Sequence, residues 1–186
     1  MFVVFTLNGP IQPMDRGDIF EDPLDEQLAA HGSGEIVGGG TGIRDDGEVN
    51  FCDSEVELAD ESQLPNVVAF LESRGAPKGS YYSVEESDEK HYFGHAEILA
   101  VYLNGTDLPD EVYDNNDTQE VYDTINELVE GSGMIMCHWI GPSETALYIF
   151  GPSAAVNRGK IQNYVAEHPL CQKSRLVFWN ESPAGQ

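Results

Sequence analysis

Residues 3–13, VVFTLNGPIQP, resemble residues 99–109, LAVYLNGTDLP, at an offset of 96 positions, and each is an apolar run that ends at Leu-Asn-Gly. Residues 26–37, EQLAAHGSGEIV, match residues 125–136, INELVEGSGMIM, where a short amphipathic run ends at Gly-Ser-Gly. Self-similarity at a nearly constant offset is the signature of an internal duplication. We therefore expect two halves that repeat one order of elements.

A third match extends the repeat to the end of each half, because a helix-like run is followed by a β-rich run in residues 66–84 and again in residues 160–179. Periodicity and turn residues predict strands at 2–7, 35–38, 48–58 and 80–84 and helices at 23–30 and 63–74 in the first half. The second half has predicted strands at 96–103, 134–140, 145–150 and 175–179 and helices at 118–130 and 157–167. Both halves read β-α-β-β-α-β, which predicts an α+β fold of two tandem ferredoxin-like repeats.

The polar run SVEESDEK at residues 83–90 is the only charge-dense segment between the halves. We assign residues 1–84 to the first repeat, residues 85–94 to a joint and residues 95–186 to the second repeat. A connection this short does not let two domains swing freely. The expected arrangement is therefore one compact unit with internal pseudo-twofold symmetry.

The charge balance is strongly acidic, with 33 Asp and Glu against 9 Lys and Arg and a formal net charge of -24. Such a chain repels phosphates and anionic lipid surfaces, so we expect no nucleic acid partner and no membrane partner. A basic protein partner, bound cations and simple solvation all remain open. The chain has 3 cysteines without a C-x-x-C pair, no signal peptide and no long apolar segment, which indicates a reducing cytoplasm.

A glycine-rich stretch, GEIVGGGTGIRDDGE at residues 34–48, raises the question of a phosphate-binding loop. Such a loop runs from a strand into a helix, whereas these glycines lie between two predicted strands and precede acidic residues. Glycine inside a strand marks a bulge, a bend or a close backbone approach. The alternative is a site where a ligand or another chain lies against bare backbone at Gly38, Gly39, Gly40 and Thr41.

Three carboxylates alternate along the third predicted strand, at Asp53, Glu55 and Glu57. Side chains two positions apart share one face of a strand, so these three are expected on the face that the helices leave open. Carboxylates on one strand repel each other unless water or a partner offsets the cost. We predict a partner-binding surface there, and a solvated face and a cation site remain alternatives.

Residue types that act in catalysis or bind metals in other proteins form no recognised motif in this sequence. His91 and His95 have helical ligand spacing next to Gly94, which argues against a helix, and Cys137 and His138 point to opposite faces of a strand. No G-x-S-x-G motif is present. We predict no catalytic residue, no metal and no cofactor, and an enzyme is less favoured than a binding protein.

The segment GEIVGGGTG, the acidic turn after it, the alternating strand and the run GAPKGS at residues 75–80 resemble a group of small uncharacterised bacterial proteins with duplicated ferredoxin-like repeats. The resemblance implies a fold without an established activity. Acidic proteins of this size also resemble immunity proteins, which neutralise bacterial toxins. The resemblance therefore implies a binding role and assigns no residue.

Two functions remain for this sequence. The first is a non-catalytic acidic binding protein, of immunity or inhibitor type, that binds a basic protein partner. The second is a small-molecule-binding or regulatory protein with its ligand at the seam between the repeats. The sequence does not specify an oligomeric state. Sensitivity to salt separates the two functions, because only the first depends mainly on charge.

Overall fold

Each half of the chain forms its own antiparallel sheet in the structure, a computed structural model that describes residues 1–85, 87 and 89–179. The chain divides into unit 1, Met1–Ala96, and unit 2, Glu97–Gln186. Residues 86, 88 and 180–186, which belong to the predicted joint and to the end of the predicted second repeat, lie outside the described residues.

Unit 1 has five strands in the order β2-β3-β1-β4-β5, all of whose pairings are antiparallel. Its elements are β1 (Phe2–Leu7), α1 (Pro13–Arg16), a π-helix (Gly17–Glu21), α2 (Asp22–His31), β2 (Gly34–Ile43), β3 (Val49–Leu58), a 3-10 turn (Glu61–Gln63), α3 (Leu64–Ser73), β4 (Ser80–Val84) and β5 (His91–Phe93). The first four strands have the order and directions of a ferredoxin-like split βαβ fold.

Unit 2 repeats this arrangement with four strands in the order β7-β8-β6-β9. Its elements are β6 (Glu97–Asn104), α4 (Asp110–Asp114), α5 (Thr118–Leu128), β7 (Met134–Ile140), β8 (Glu144–Gly151), α6 (Ala154–Glu167), a 3-10 turn (Pro169–Cys171) and β9 (Arg175–Phe178). The first, second, third and fourth strands of each unit occupy the same places in their sheets. The predicted α+β fold of two tandem ferredoxin-like repeats is therefore confirmed.

A β-bulge at equivalent positions of both units shows how closely the repeats correspond. The register shifts between Ile36 and Gly38 in β2 and between Ile135 and Cys137 in β7. In each unit a helix side chain accepts a hydrogen bond from the backbone N–H of the residue before the bulge: Asp25 Oδ1 from Ile36 at 2.8 Å, and Asn126 Oδ1 from Ile135 at 3.0 Å. The N–H of the residue before each bulge therefore has an acceptor.

The cores follow the alternation of the strands. Buried apolar residues of unit 1 come from every second position of β1 and β3 and from α2 and α3; they include Val3, Phe5, Leu7, Val56, Leu58, Leu24, Leu28, Val67 and Leu71. The core of unit 2 combines residues of β6, β7 and β8 with residues of α5 and α6; it includes Leu99, Val101, Ile135, Leu147, Ile149, Val121, Ile125 and Ile161. One face of each sheet is therefore covered by two helices.

Capping and first-turn residues explain where the predicted helices begin and end. Helix α2 has a proline and acidic residues in its first turn and ends at Gly32, whose φ of 59° is left-handed, a conformation that glycine adopts without strain. Asp117 and Ser153 cap α5 and α6 by accepting hydrogen bonds from backbone N–H groups. These helices were predicted within a few residues.

Among the short elements, α1, the π-helix, β5 and α4 were not predicted. Each is five residues long or shorter, which leaves little periodicity to read, and none lies within the segments that repeat along the sequence. The assignment of residues 85–94 to a joint remains a prediction, although His91–Phe93 form β5 and pair with β4 inside unit 1.

Candidate protein-binding face

Strand β3 alternates as its sequence predicted. Cys52, Ser54, Val56 and Leu58 are buried on the helix-covered side, and Asp53, Glu55 and Glu57 lie on the opposite face, where Glu57 is exposed and the other two are half-buried. The predicted common face of the three carboxylates is confirmed as a matter of geometry, and their role in binding remains a prediction.

Strand β2 adds a fourth carboxylate and a floor of glycines to this face. Glu35 lies directly opposite Glu57 in the register, Gly38 opposite Glu55 and Gly40 opposite Asp53. We call the four side chains Glu35, Asp53, Glu55 and Glu57 the carboxylate face. The sequence did not place Glu35 in it, because the bulge at Val37 breaks the simple alternation of β2.

The side chain of Glu55 lies over Gly38. A Cβ atom placed on Gly38 would lie 2.5 Å from Oε2 of Glu55, whereas one on Gly40 would approach only Oδ2 of Asp53, at 3.8 Å. Because Gly38 has no side chain, the Glu55 carboxylate reaches across the outermost strand of the sheet. Gly38 and Gly40 thus share one surface with the acidic stripe, although the sequence treats the glycines and the stripe as two features.

Gly39 and Thr41, the other two residues of the predicted loop, belong to the opposite face. A Cβ atom on Gly39 would lie 2.7 Å from the backbone oxygen of Asp53 and 3.0 Å from Oε1 of Glu21. Arg16 donates to the Gly40 carbonyl at 2.5 Å and to Thr41 Oγ1 at 3.2 Å. The four residues predicted as one backbone-contact loop are therefore divided between a glycine floor and a helix-side contact.

The carboxylates differ in how they are held. Thr6 of β1 donates a hydrogen bond to Oδ1 of Asp53 at 2.6 Å, and Thr6 is itself buried. Glu35, Glu55 and Glu57 form no ion pair with any lysine or arginine within residues 1–85, 87 and 89–179. Asp53 is thus fixed by the fold, and the three glutamates remain available to cations.

The repeat in unit 2 does not carry this surface. The residues that stand in the registers of Asp53, Glu55 and Glu57 are Ala146, Tyr148 and Phe150, and all three are buried. The duplicated strands thus share geometry and differ in chemistry. The carboxylate face is a property of unit 1.

Aromatic residues border the same face at the other edge of the sheet. Tyr81 of β4 lies opposite Thr6, and Tyr92 of β5 lies opposite Tyr81. Tyr92 is 71% exposed, and Nζ of Lys90 lies 4.0 Å from the centre of the Tyr81 ring. Sequence reasoning predicted β4 but missed the tyrosine pair, because β5 has only three residues.

The cysteines lack the properties of nucleophiles. All three are buried, and burial raises the pKa of the Cys52 thiol to about 12 and that of the Cys171 thiol to about 11. Catalytic thiols have lowered pKa values and solvent access. Among the described residues, no group of three His, Cys, Asp or Glu side chains is placed to bind a metal ion.

Comparison with known proteins finds similarity among solved structures. No family model matches the chain, and no curated protein matches it significantly. A crystal structure of the first two RRM domains of the yeast poly(U) binding protein is similar over 99% of both chains, with 13% sequence identity and a TM-score of 0.26. At these values we draw no argument from it about what this chain binds.

Two predictions change with these comparisons. The exclusion of nucleic acid conflicts with the similarity to two RRM domains of a poly(U) binding protein, and it is withdrawn because it rested on net charge alone. Net charge describes a whole chain and does not determine the chemistry of each surface. The duplicated ferredoxin-like fold stands, whereas no family model and no curated protein supports the resemblance to bacterial immunity proteins. None of the described helices is long and apolar enough to cross a membrane.

Proposed function

We propose that this protein is a non-catalytic binding protein whose carboxylate face takes a basic segment of a partner protein. The observation that carries the proposal is the pairing of Glu35 directly opposite Glu57, next to Glu55 on its glycine floor. Like charges directly opposite each other on a sheet destabilise it. Lysine or arginine side chains of a partner would relieve that repulsion. Binding would therefore remove an interaction that destabilises the free protein.

The net charge of -24 adds a long-range effect to this local one. A surface potential of one sign raises the association rate of an oppositely charged partner, and salt screens that attraction within about 8 Å at physiological ionic strength. Association with a basic partner should therefore be fast at low salt and slower at high salt. An inhibitor or immunity-type role is the case in which the basic segment belongs to the partner's own active surface.

The experiment compares two variants of equal net charge. The carboxylate variant carries Asp53→Asn, Glu55→Gln and Glu57→Gln. The control variant carries Glu26→Gln, Glu120→Gln and Glu127→Gln, which are exposed helix positions outside the carboxylate face. The association rate of each with a fluorescent oligolysine peptide is measured by stopped flow at low and at physiological ionic strength.

The carboxylate variant should associate on the order of tenfold more slowly than the control variant at low salt, and the difference should shrink as salt is added. Equal rates for the two variants would show that the peptide responds to net charge alone and that the carboxylate face is only solvated. Tighter binding of a uridine oligonucleotide than of the peptide, at equal concentration and salt, would assign the surface to nucleic acid instead.

A further inference from the structure

A row of directly paired residues crosses the open face of the unit 1 sheet. Gly40 pairs with Asp53, Asp53 with Thr6, Thr6 with Tyr81, and Tyr81 with Tyr92. Paired residues on antiparallel strands point to the same face. The row therefore joins the carboxylate face at one edge of the sheet to a tyrosine pair at the other.

The tyrosine pair already holds one cation. The rings of Tyr81 and Tyr92 meet edge to face with centroids 5.9 Å apart, and the ammonium of Lys90 lies 4.0 Å from the centroid of Tyr81. An ammonium at that distance from a ring face is a cation–π contact. Since Tyr92 is 71% exposed, its ring remains accessible while Lys90 covers Tyr81.

Resting on the function proposed above, we propose that Tyr92 binds an arginine side chain of the basic partner. Arginine fits better than lysine because its planar guanidinium stacks on an aromatic ring and is more weakly hydrated than an ammonium. The tyrosine pair is thus a second subsite on the face that carries Asp53 and Glu55. The tyrosine pair would favour segments that contain arginine, whereas the carboxylates attract any basic segment.

The spacing of the two subsites describes the partner. Tyr92 on β5 and Asp53 on β3 are three strand intervals apart, about 14 Å at about 4.8 Å for each interval. An extended chain covers that distance in about four residues, at about 3.3 Å for each residue. The partner segment is therefore an extended one with an arginine about four positions from its next basic residue.

Lys90 competes for this subsite from within the chain. Its ammonium occupies the ring face of Tyr81 that a second guanidinium would use. Removing it by Lys90→Ala opens that ring, and it also removes a positive charge that repels a basic partner. The substitution should tighten binding of an arginine peptide, and its effect should depend on the tyrosines.

The experiment measures equilibrium binding of oligoarginine and oligolysine peptides of equal length, and of a uridine oligonucleotide, by fluorescence anisotropy. The proteins are the parent, Tyr92→Leu, Tyr92→Phe, Lys90→Ala and the carboxylate variant, with thermal unfolding as a check of folding. The parent should prefer arginine to lysine. Tyr92→Leu should weaken arginine binding about two- to fivefold, which is the size of an exposed cation–π contact, and Tyr92→Phe should retain it.

The outcomes separate this inference from the function on which it rests. If Tyr92→Leu and Lys90→Ala both bind oligoarginine like the parent while the carboxylate variant loses binding, the tyrosine subsite is refuted and the proposed function stands. If the carboxylate variant also binds both peptides like the parent, the proposed function fails as well. Loss of uridine oligonucleotide binding in Tyr92→Leu, without a change in peptide binding, would make the tyrosine pair a platform for bases and overturn the inference.

Discussion

The carboxylate of Glu55 lies directly over Gly38 on the neighbouring strand, where a Cβ atom would approach it to 2.5 Å. This relationship explains why residue 38, directly after the bulge of the edge strand, is a glycine. Gly38 and the acidic stripe belong to one surface. The backbone of Gly38 needs no left-handed conformation, so the reason for glycine here is space for a neighbouring side chain.

Alanine substitutions at Gly38 and Gly39 should have different effects on stability. At Gly38 the added methyl meets only the movable end of Glu55, so the free energy of unfolding should change little or rise by about 0.5 kcal/mol because the unfolded chain loses freedom. At Gly39 it meets the backbone oxygen of Asp53 at 2.7 Å, and the free energy of unfolding should fall by about 1 to 3 kcal/mol. Urea denaturation of the two variants measures both, and an equally stable Gly39→Ala would refute the close approach.

Neutralising either member of the Glu35 and Glu57 pair should stabilise the protein. The two carboxylates stand opposite each other without a cation, so Glu35→Gln or Glu57→Gln should raise the free energy of unfolding by about 0.2 to 1 kcal/mol at low salt. The double substitution should gain less than the sum, because either single change already removes the repulsion. A thermal-denaturation cycle at low and high salt tests this, and strict additivity would show that the two charges do not interact.

The side chains that hold the bulges should matter equally in both units. Asp25→Ala leaves the N–H of Ile36 without its acceptor, and Asn126→Ala does the same to the N–H of Ile135. Each should lower the free energy of unfolding by about 0.5 to 1.5 kcal/mol, the net contribution of one hydrogen bond, because both bonds are only partly buried. Asp25→Asn keeps an oxygen acceptor and should cost less, and Glu26→Ala on the exposed side of α2 is the control. If Asp25→Ala costs no more than this control, the hydrogen bond has no structural role.

The stability of the protein should fall at alkaline pH because of Cys52. Burial raises the pKa of its thiol from 9.0 to about 12 in the folded protein, so above pH 9 the unfolded chain loses a proton that the folded chain keeps. The unfolded state is therefore favoured increasingly as the pH rises from about 9 to 12. Cys52→Val should flatten this decline, measured by urea denaturation at several pH values, and an unchanged slope would contradict the burial of the thiol. The native thiol should also resist alkylation at neutral pH.

The sequence by itself determined the duplication, the order of strands and helices in each repeat, and the face of β3 on which the three carboxylates lie. These features depend on local periodicity and on residues that recur at a nearly constant offset, and both can be read along one chain. The long strands and the helices with proline, acidic or glycine termini were predicted for this reason. The short strands β4 and β9 were also predicted, because each follows a helix in the repeated pattern, whereas α1, the π-helix, β5 and α4 were not.

Only the tertiary structure decided which side chains meet. Glu55 reaches Gly38, Thr6 binds Asp53 and Tyr81 pairs with Tyr92 because of the strand registers, and the register of β2 is shifted by the bulge at Val37. A register shift of one residue moves every side chain of a strand to the opposite face of its sheet. The bulge and the side chains that hold it are set by packing between distant parts of the chain, so the sequence pattern alone did not unite the glycines, the carboxylates and the tyrosines in one surface.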